Sequence, residues 1–240
     1  MQASEYARMH AVEDRMWWYR GLHRILLASL SGPSLHRVLD AGCGTGGLLR
    51  RLREYRPELA AVGLDADATA AGLASAKAGR PVTAASINAL PFPAESFDAV
   101  VSADVLSHDL VDLDAALAEI HRCLRPRGRV VLNLPAYRWM LSAHDHVTHQ
   151  SRRFTAADAV AMLRAAGFRD IRSGYWNTIL FPMMVLRRKL FPPRNGSDVA
   201  LFPGPIDWLF SRIVLAEAAL IRIGVRWPFG GSVLVIGVKP

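Results

Sequence analysis

The sequence predicts a doubly wound α/β fold, and three observations carry that prediction. Short apolar runs alternate with helical segments of about 10–15 residues, the pattern of βαβ units around a parallel sheet. The first of these runs, His36–Ala41, ends in a glycine turn that feeds a helix. With 240 residues, 51% hydrophobic and 21% charged, the chain is long and apolar enough to bury a sizeable core in one domain.

The elements follow in order. Residues 4–30 alternate polar and apolar positions at helical spacing and read as one or two helices. His36–Ala41 is a strand, Thr45–Tyr55 a helix, Leu59–Asp65 a strand, Asp67–Ala78 a helix and Pro81–Ala85 a strand. Phe97–Ala103 is the fourth strand, a helix spans 112–124, and Arg129–Leu134 is the fifth strand, stopped by Pro135. Residues 136–154 read as a polar, aromatic, histidine-rich loop, and Thr155–Gly167 as a helix behind a good N-cap. Phe168–Tyr175 and Gly231–Val238 are two late strands, separated by apolar helical stretches at Ile179–Phe191 and Ile206–Ile223. A single domain is expected: an N-terminal helical lid over 1–32, a core formed by 33–177 with 231–240, and a helical cap inserted at 178–230.

Charge and cysteines narrow the setting. Residues 1–150 carry 16 Lys/Arg and 16 Asp/Glu, whereas 151–240 carry 13 against 5, so the whole net charge of +8 sits in the C-terminal part. A basic, apolar third suggests a phosphate, a lipid surface or nucleic acid as partner, with plain Arg-rich surface as the alternative. Cys43 and Cys123 lie far apart in apolar elements, which excludes a disulfide framework and suits a reducing cytoplasm. The first residues lack the layout of a signal peptide, and no run reaches the ~18 apolar residues of a membrane span. The expected location is therefore cytoplasmic, with peripheral contact at an anionic membrane face as an addition.

The central chemical signal is Val38-Leu39-Asp40-Ala41-Gly42-Cys43-Gly44-Thr45-Gly46-Gly47. Glycines between a strand and a helix let a ligand approach the backbone with no Cβ in the way. Gly42, Gly44 and Gly47 also fit the dinucleotide fingerprint, and Asp65 lies at about the ribose-binding distance for either kind of cofactor, so the glycines alone are ambiguous. Asp40 separates the two: two residues before the first glycine, a carboxylate repels a pyrophosphate but suits a sulfonium amino acid. Leu90-Pro91-Phe92-Pro93-Ala94-Glu95-Ser96-Phe97-Asp98 precedes the fourth strand. Val105-Leu106-Ser107-His108 and Ala118-Glu119-Ile120-His121-Arg122-Cys123-Leu124-Arg125-Pro126-Arg127-Gly128 precede the fifth.

With these motifs in this order over residues 38–134, the chain resembles the class I S-adenosylmethionine-dependent methyltransferases of the small-molecule type. The resemblance implies a seven-stranded Rossmann-like sheet with its last strand antiparallel, and S-adenosylmethionine at the carboxyl ends of the strands. It implies that Asp40, Gly42, Cys43 and Gly44 line the methionine part and that Asp65, with Ala66 beside it, holds the ribose hydroxyls. Ser86, Ile87 and Asn88 would flank the adenine, and Ala103 would lie beside the cofactor. The family often has an acid where this chain has Ser86, and its Pro-Gly-Gly turn here reads Pro126-Arg127-Gly128. A narrower similarity, to a bacterial subgroup, rests on the Trp17-Trp18-Tyr19 helix, Pro135-Ala136-Tyr137, Arg152-Arg153-Phe154-Thr155, Tyr175-Trp176-Asn177 and Phe181-Pro182.

The acceptor side is read from what remains. Trp17, Trp18, Tyr19, Tyr137, Arg152, Trp176 and Phe181 are the candidate substrate-binding residues. Three consecutive aromatics span about 300° of a helix, so Trp17, Trp18 and Tyr19 cannot all face one core. His108, His144 and His149 are candidate general bases at a sulfonium-methyl site, the last two in a lid loop; solvated or structural histidines are the alternative. His144, Asp145, His146 and His149 offer ligand types, but their spacing suits no standard site and methyl transfer from sulfur needs no Lewis acid, so no metal is expected. Glu217 is the odd charge in an apolar run: it would steady a carbocation if the acceptor were an alkene, or else pair with an arginine.

Leu180, Phe181, Met183 and Met184 next to Arg187-Arg188-Lys189 suit a prenyl or acyl acceptor bearing a phosphate, or attachment to an anionic membrane. Asp207, Arg212, Glu217 and Arg222 recur every five residues, which spreads charge around the helix and argues against an in-plane membrane helix there. Ser102-Ala103-Asp104-Val105 replaces the motif that base amino methylation uses, so a small-molecule acceptor is expected and nucleic acid is not. A nicotinamide-binding protein and a non-catalytic cofactor-binding or membrane-associated protein are the competing classes.

Overall fold

Adjacent residues of the first strand, β1 (Arg37–Ala41), face opposite layers, and that parity builds the molecule. Val38 packs with Leu49, Leu52, Ala99, Val101 and Val131 on one side, and Leu39 with Phe97, Val100, Val130 and Leu132 on the other. A strand covered on both faces reads as a continuous apolar run, as expected of a parallel sheet. The computed structural model describes residues 3–32, 35–142, 145, 148–190 and 201–240.

Helices α1 (Ala3–Val12) and α2 (Trp17–Ser29) precede β1. Then come α3 (Gly47–Tyr55), β2 (Ala60–Asp65), α4 (Ala68–Ala78), β3 (Val82–Ala84) and β4 (Phe97–Ala103). They are followed by α5 (Leu113–Cys123), β5 (Leu124–Pro135), α6 (Ala156–Ala165) and β6 (Arg169–Trp176). Helices α7 (Phe181–Leu190) and α8 (Gly204–Arg222) lead to β7 (Ser232–Val238). The seven strands form one sheet ordered β3-β2-β1-β4-β5-β7-β6, in which β7 alone runs antiparallel to its neighbours β5 and β6. Helices α2, α3, α4 and α8 contribute to the core on the Val38 side, and α5 and α6 to that on the Leu39 side.

Local signals set the helix starts. Asp67 accepts hydrogen bonds from the Thr69 and Ala70 amides at the head of α4, and Asp112 does the same for Asp114 and Ala115 at α5. Thr155 and Asp158 form a reciprocal capping box on α6. At Gly21 of α2 a Cβ would sit 3.0 Å from Val214 of α8, so the glycine permits the close crossing of these two helices.

Four sequence expectations change. The fifth strand begins at Leu124, because α5 ends at Cys123 and Leu124 already pairs with Phe97 across a register shift. Pro135 does not stop that strand but is its last residue, paired with Ser232. The 136–154 stretch carries regular contacts among its described residues: Arg138–Met140 form a 3-10 turn, Gln150 bridges to His108, and Phe154 bridges to Ala136. In α8 the charges do surround the helix but are sorted by sign, which leaves one face without an acid: Asp207 is half-buried and Glu217 buried, while Arg212 and Arg222 face solvent. No helix among the described residues is long and apolar enough to cross a membrane.

Candidate functional site

Where β1 and β4 lie side by side, their connections leave in opposite directions, and this topological switch point opens a crevice at the strand ends. A cavity of about 360 Å³ occupies it. Its inner wall comes from Asp40, Gly42, Cys43 and Gly44 after β1, Asp65 and Ala66 after β2, and Ser86 and Ile87 after β3. Ala103, Asp104 and His108 close the side at β4. Helices α1 and α2 and the turn between them roof it with Tyr6, Met9, Glu13, Trp17, Trp18 and Tyr19, and Arg153, Met183, Met184, Arg187 and Arg188 form the far wall.

The glycine turn is held in a shape only glycine accepts at Gly42. Its φ is +87°, and a Cβ there would lie 2.1 Å from Val105 Cγ2. Beside it, Asp65 is oriented by the protein itself: one carboxylate oxygen accepts the Gly44 amide at 2.8 Å, the other the Asp67 amide at 3.0 Å and the Tyr6 hydroxyl at 3.4 Å. Burial pushes Asp65 upward against those donors.

Asp40 is buried, and no lysine or arginine pairs with it among the described residues. Burial, reinforced by the charges of Asp65 and Glu13, pushes its carboxyl up to about 8. An acid kept in that state lacks a cation. A sulfonium would supply one and favour the ionised carboxyl, whereas a pyrophosphate would oppose that ionisation and face the charge of Asp65.

A curated relative, the demethylmenaquinone methyltransferase of a Roseiflexus species, is 36% identical over 190 residues, covering 66% of this chain and 76% of the relative. The chain belongs to the class I S-adenosylmethionine-dependent methyltransferases. A family described as a methyltransferase domain matches residues 39–132 of this methyltransferase chain. A malonyl-[acyl-carrier protein] O-methyltransferase of Enterobacter lignolyticus is 33% identical over 141 residues, 56% of this chain and 55% of that one. The chain spans about half the length of the first curated relatives it matches. Among solved structures, a methyltransferase in complex with the Haloferax volcanii Trm112 activator superposes with a TM-score of 0.65 at 25% identity, covering 99% of this chain and 95% of that one.

Measured against the methyltransferase expectations, the cavity gathers Asp40, Gly42, Cys43, Gly44, Asp65, Ala66, Ser86, Ile87 and Ala103. Asn88 is not in its wall: its amide donates to the Leu110 carbonyl at 3.0 Å and accepts the Asp112 amide at 3.1 Å, tying two loops together. Trp17, Trp18 and Tyr19 all line the cavity. They reach it because α2 lies across the mouth, with Trp17 also packed on Phe210 and Trp18 on Trp176.

Four other substrate-side candidates of the methyltransferase reading lie elsewhere. Trp176 is fully buried and donates its indole N–H to Asn133 Oδ1 at 2.6 Å, a core role. Tyr137 stacks on Trp139 and Tyr175, and Phe181 packs against Tyr137 and Phe229. Arg152 donates to the His108 and Val111 carbonyls, at 3.0 and 2.8 Å, and fixes the loop after β4. Its neighbour Arg153 lines the cavity instead, doubly bonded to Asp145 Oδ1 at 3.0 and 2.6 Å.

The candidate bases separate in the same way. His108 is in the cavity wall, and burial pushes its imidazole down to about 4, so it is neutral at pH 7. His149 is half-exposed and faces Asp109 at 3.6 Å, away from the cavity. His144 and His146 lie outside the described residues, and Asp145 is committed to Arg153. Glu217 does not line the cavity, and among the described residues it pairs with no arginine. Its two oxygens accept the Thr178 amide at 2.9 and 3.2 Å, so it satisfies the backbone ahead of α7.

One strong candidate was missed from sequence. Asp104, just past β4, lines the cavity with a φ of +58°. It accepts from the Asn133 amide at 2.9 Å. The Trp176 indole can only donate, so it fixes Asn133 with its NH2 toward Asp104. Burial pushes Asp104 up to about 7 against the nearby Arg153. The available signal was positional: acids stand at or beside the carboxyl ends of three parallel strands, at 40, 65 and 104.

Proposed function

We propose that this chain transfers the methyl group of S-adenosylmethionine to a small amphiphilic or phosphorylated acceptor, a prenyl, lipid-like or secondary metabolite, at an anionic membrane face. The observation that carries the reading is one continuous cavity with opposite ends: unpaired Asp40 and the oriented Asp65 at the glycine turn, and methionines with Arg153, Arg187 and Arg188 at the other.

When bound, S-adenosylmethionine supplies an electrophilic methyl group on a positively charged sulfur. Asp40 and the Gly42–Gly44 turn hold the amino-acid end, Asp65 grips the sugar, and Ser86 and Ile87 flank the base. Ala103 leaves room at the reacting centre. Trp17, Trp18 and Met9 exclude water from above, and fixed alignment of this kind supplies ~7–11 kcal/mol of the barrier lowering such a transfer needs. Where the acceptor must lose a proton, Asp104 is the group to take it. Its raised carboxyl is held in place by Asn133, whereas neutral His108 is too weak a base to compete. Met183 and Met184 cover the acceptor's apolar part, and Arg187 and Arg188 meet its anionic part. The malonyl-carrier and demethylmenaquinone relatives support a metabolite acceptor.

Incubation with methyl-tritiated S-adenosylmethionine and a bacterial lipid extract tests the reading. Label is expected in the organic phase or in an anionic aqueous metabolite, and Asp65→Ala should lower it about a hundredfold. Label no higher than in the Asp65→Ala control, in both phases, overturns it.

A further inference from the structure

The outer face of α8 is apolar and cationic with no acid on it. Asp207 turns inward, where its Oδ1 accepts the Trp17 amide at 3.5 Å, and Glu217 is buried against Thr178. At 3.6 residues per turn the exposed residues from Trp208 onward fall within an arc of roughly 160°, with Ile206 of the first turn just beyond its edge. That arc carries Trp208 (63% exposed), Leu209, Leu220 and Ile223 (74% exposed), together with exposed Arg212 and Arg222. Neither arginine has an ion-pair partner among the described residues. Of the 14 large hydrophobic side chains exposed among the described residues, 10 lie between Ile179 and Phe229. Patches of this kind mark interaction sites.

We propose that the outer face of α8 docks in plane on an anionic lipid bilayer. Trp208, Leu209, Leu220 and Ile223 enter the boundary between headgroups and acyl chains, and Arg212 and Arg222 meet lipid phosphates. Charge complementarity selects this occupant. A second copy joined across a two-fold axis would set these arginines against each other with no acid to neutralise them. The inference rests on the membrane part of the proposed function and names the surface that performs it. Helix α7, which walls the acceptor end of the cavity, belongs to the same stretch of chain, so docking links that wall to the source of an amphiphilic acceptor.

Flotation of the full chain with equimolar phosphatidylglycerol–phosphatidylcholine vesicles provides the test, with pure phosphatidylcholine alongside. The protein should float with the anionic vesicles, far less with the neutral ones, and less again at 1 M salt, where the Debye length is about 3 Å. Arg212→Glu/Arg222→Glu and Trp208→Ser/Ile223→Ser should each weaken binding at least about tenfold. Arg164→Glu/Arg169→Glu, with the same change in net charge, should stay within about threefold. Calorimetric titration with S-adenosylhomocysteine should be the same for all four proteins.

If wild type fails to float with anionic vesicles, the docking face and the membrane reading both fall, while the titration still judges methyl transfer separately. Wild-type flotation that the α8 variants retain, or that the control pair loses equally, overturns the α8 face alone. So does light scattering that shows a wild-type dimer broken by Trp208→Ser/Ile223→Ser.

Discussion

Asp40 concentrates the electrostatics of the site in one carboxyl. A carboxylate raised to about 8 by burial favours the fold only while it is protonated. Its contribution is full below the ordinary value of ~3.9 and is lost as pH rises through about 8. Asp40→Asn should therefore unfold at a higher temperature than wild type at pH 9, read by a thermal melt, and show little difference at pH 4. A sulfonium favours the ionised form, so binding of S-adenosylmethionine near pH 7 should release close to one proton. Calorimetry in two buffers of different ionisation enthalpy measures that release, which should vanish in Asp40→Asn. Asp40 was legible because it stands two residues before the glycine turn, and Asp65 because it ends the next strand at about the ribose-binding distance from those glycines. Asp104 was passed over because nothing in its neighbours reveals Asn133, which comes from the next strand. Arg152 and Arg153 are adjacent, and only the bridge of Phe154 to Ala136 decides which one faces the cavity.

At the scale of elements, the roof is clamped and not merely laid over the cavity. Glu13, between α1 and α2, accepts the Thr45 hydroxyl at 2.6 Å and pairs with Lys77 of α4, both charges being buried. Asp14 receives Arg50 of α3 through Nε at 3.1 Å and Nη2 at 2.8 Å. Glu13→Ala takes the nearest anion from the Lys77 ammonium, which keeps Asp14 Oδ2 at 3.7 Å and the His10 carbonyl at 3.1 Å, so the cost is about 1–3 kcal/mol. A chain of this size loses roughly 2–4 °C per kcal/mol, so its melting temperature should drop by about 2–12 °C, and Glu13→Leu/Lys77→Met should recover much of it. Sequence periodicity gave both helices of the roof. It could not give this clamp, whose partners are 64 residues apart. The same limit explains α8. A five-residue recurrence of charges says nothing about which of them meet backbone amides inside, and Glu217 was read as catalytic or ion-paired when it serves Thr178.

For the whole molecule, strand order does the positioning. Because β1 is flanked by β2 and β4, the acids following three parallel strands converge on one crevice, while β7 and β6 carry the chain back past α7 and α8. The alternation of strands and helices, the glycine turn and the late strand pair were all local patterns, so the architecture was readable. The boundary between α5 and β5 was not, since an apolar Leu124 suits either element. The partition of charge was also visible in the sequence, but its meaning required knowing that Asp207 and Glu217 turn inward. The most direct test of the central claim is calorimetric titration of wild type and Asp65→Ala with S-adenosylhomocysteine, with NAD as comparison. Two charge-assisted hydrogen bonds to the sugar, at about 1.5 kcal/mol each, predict a loss of roughly a hundredfold in Asp65→Ala and no binding of NAD by either protein. Undiminished S-adenosylhomocysteine binding by Asp65→Ala, or preference of wild type for NAD, would contradict it.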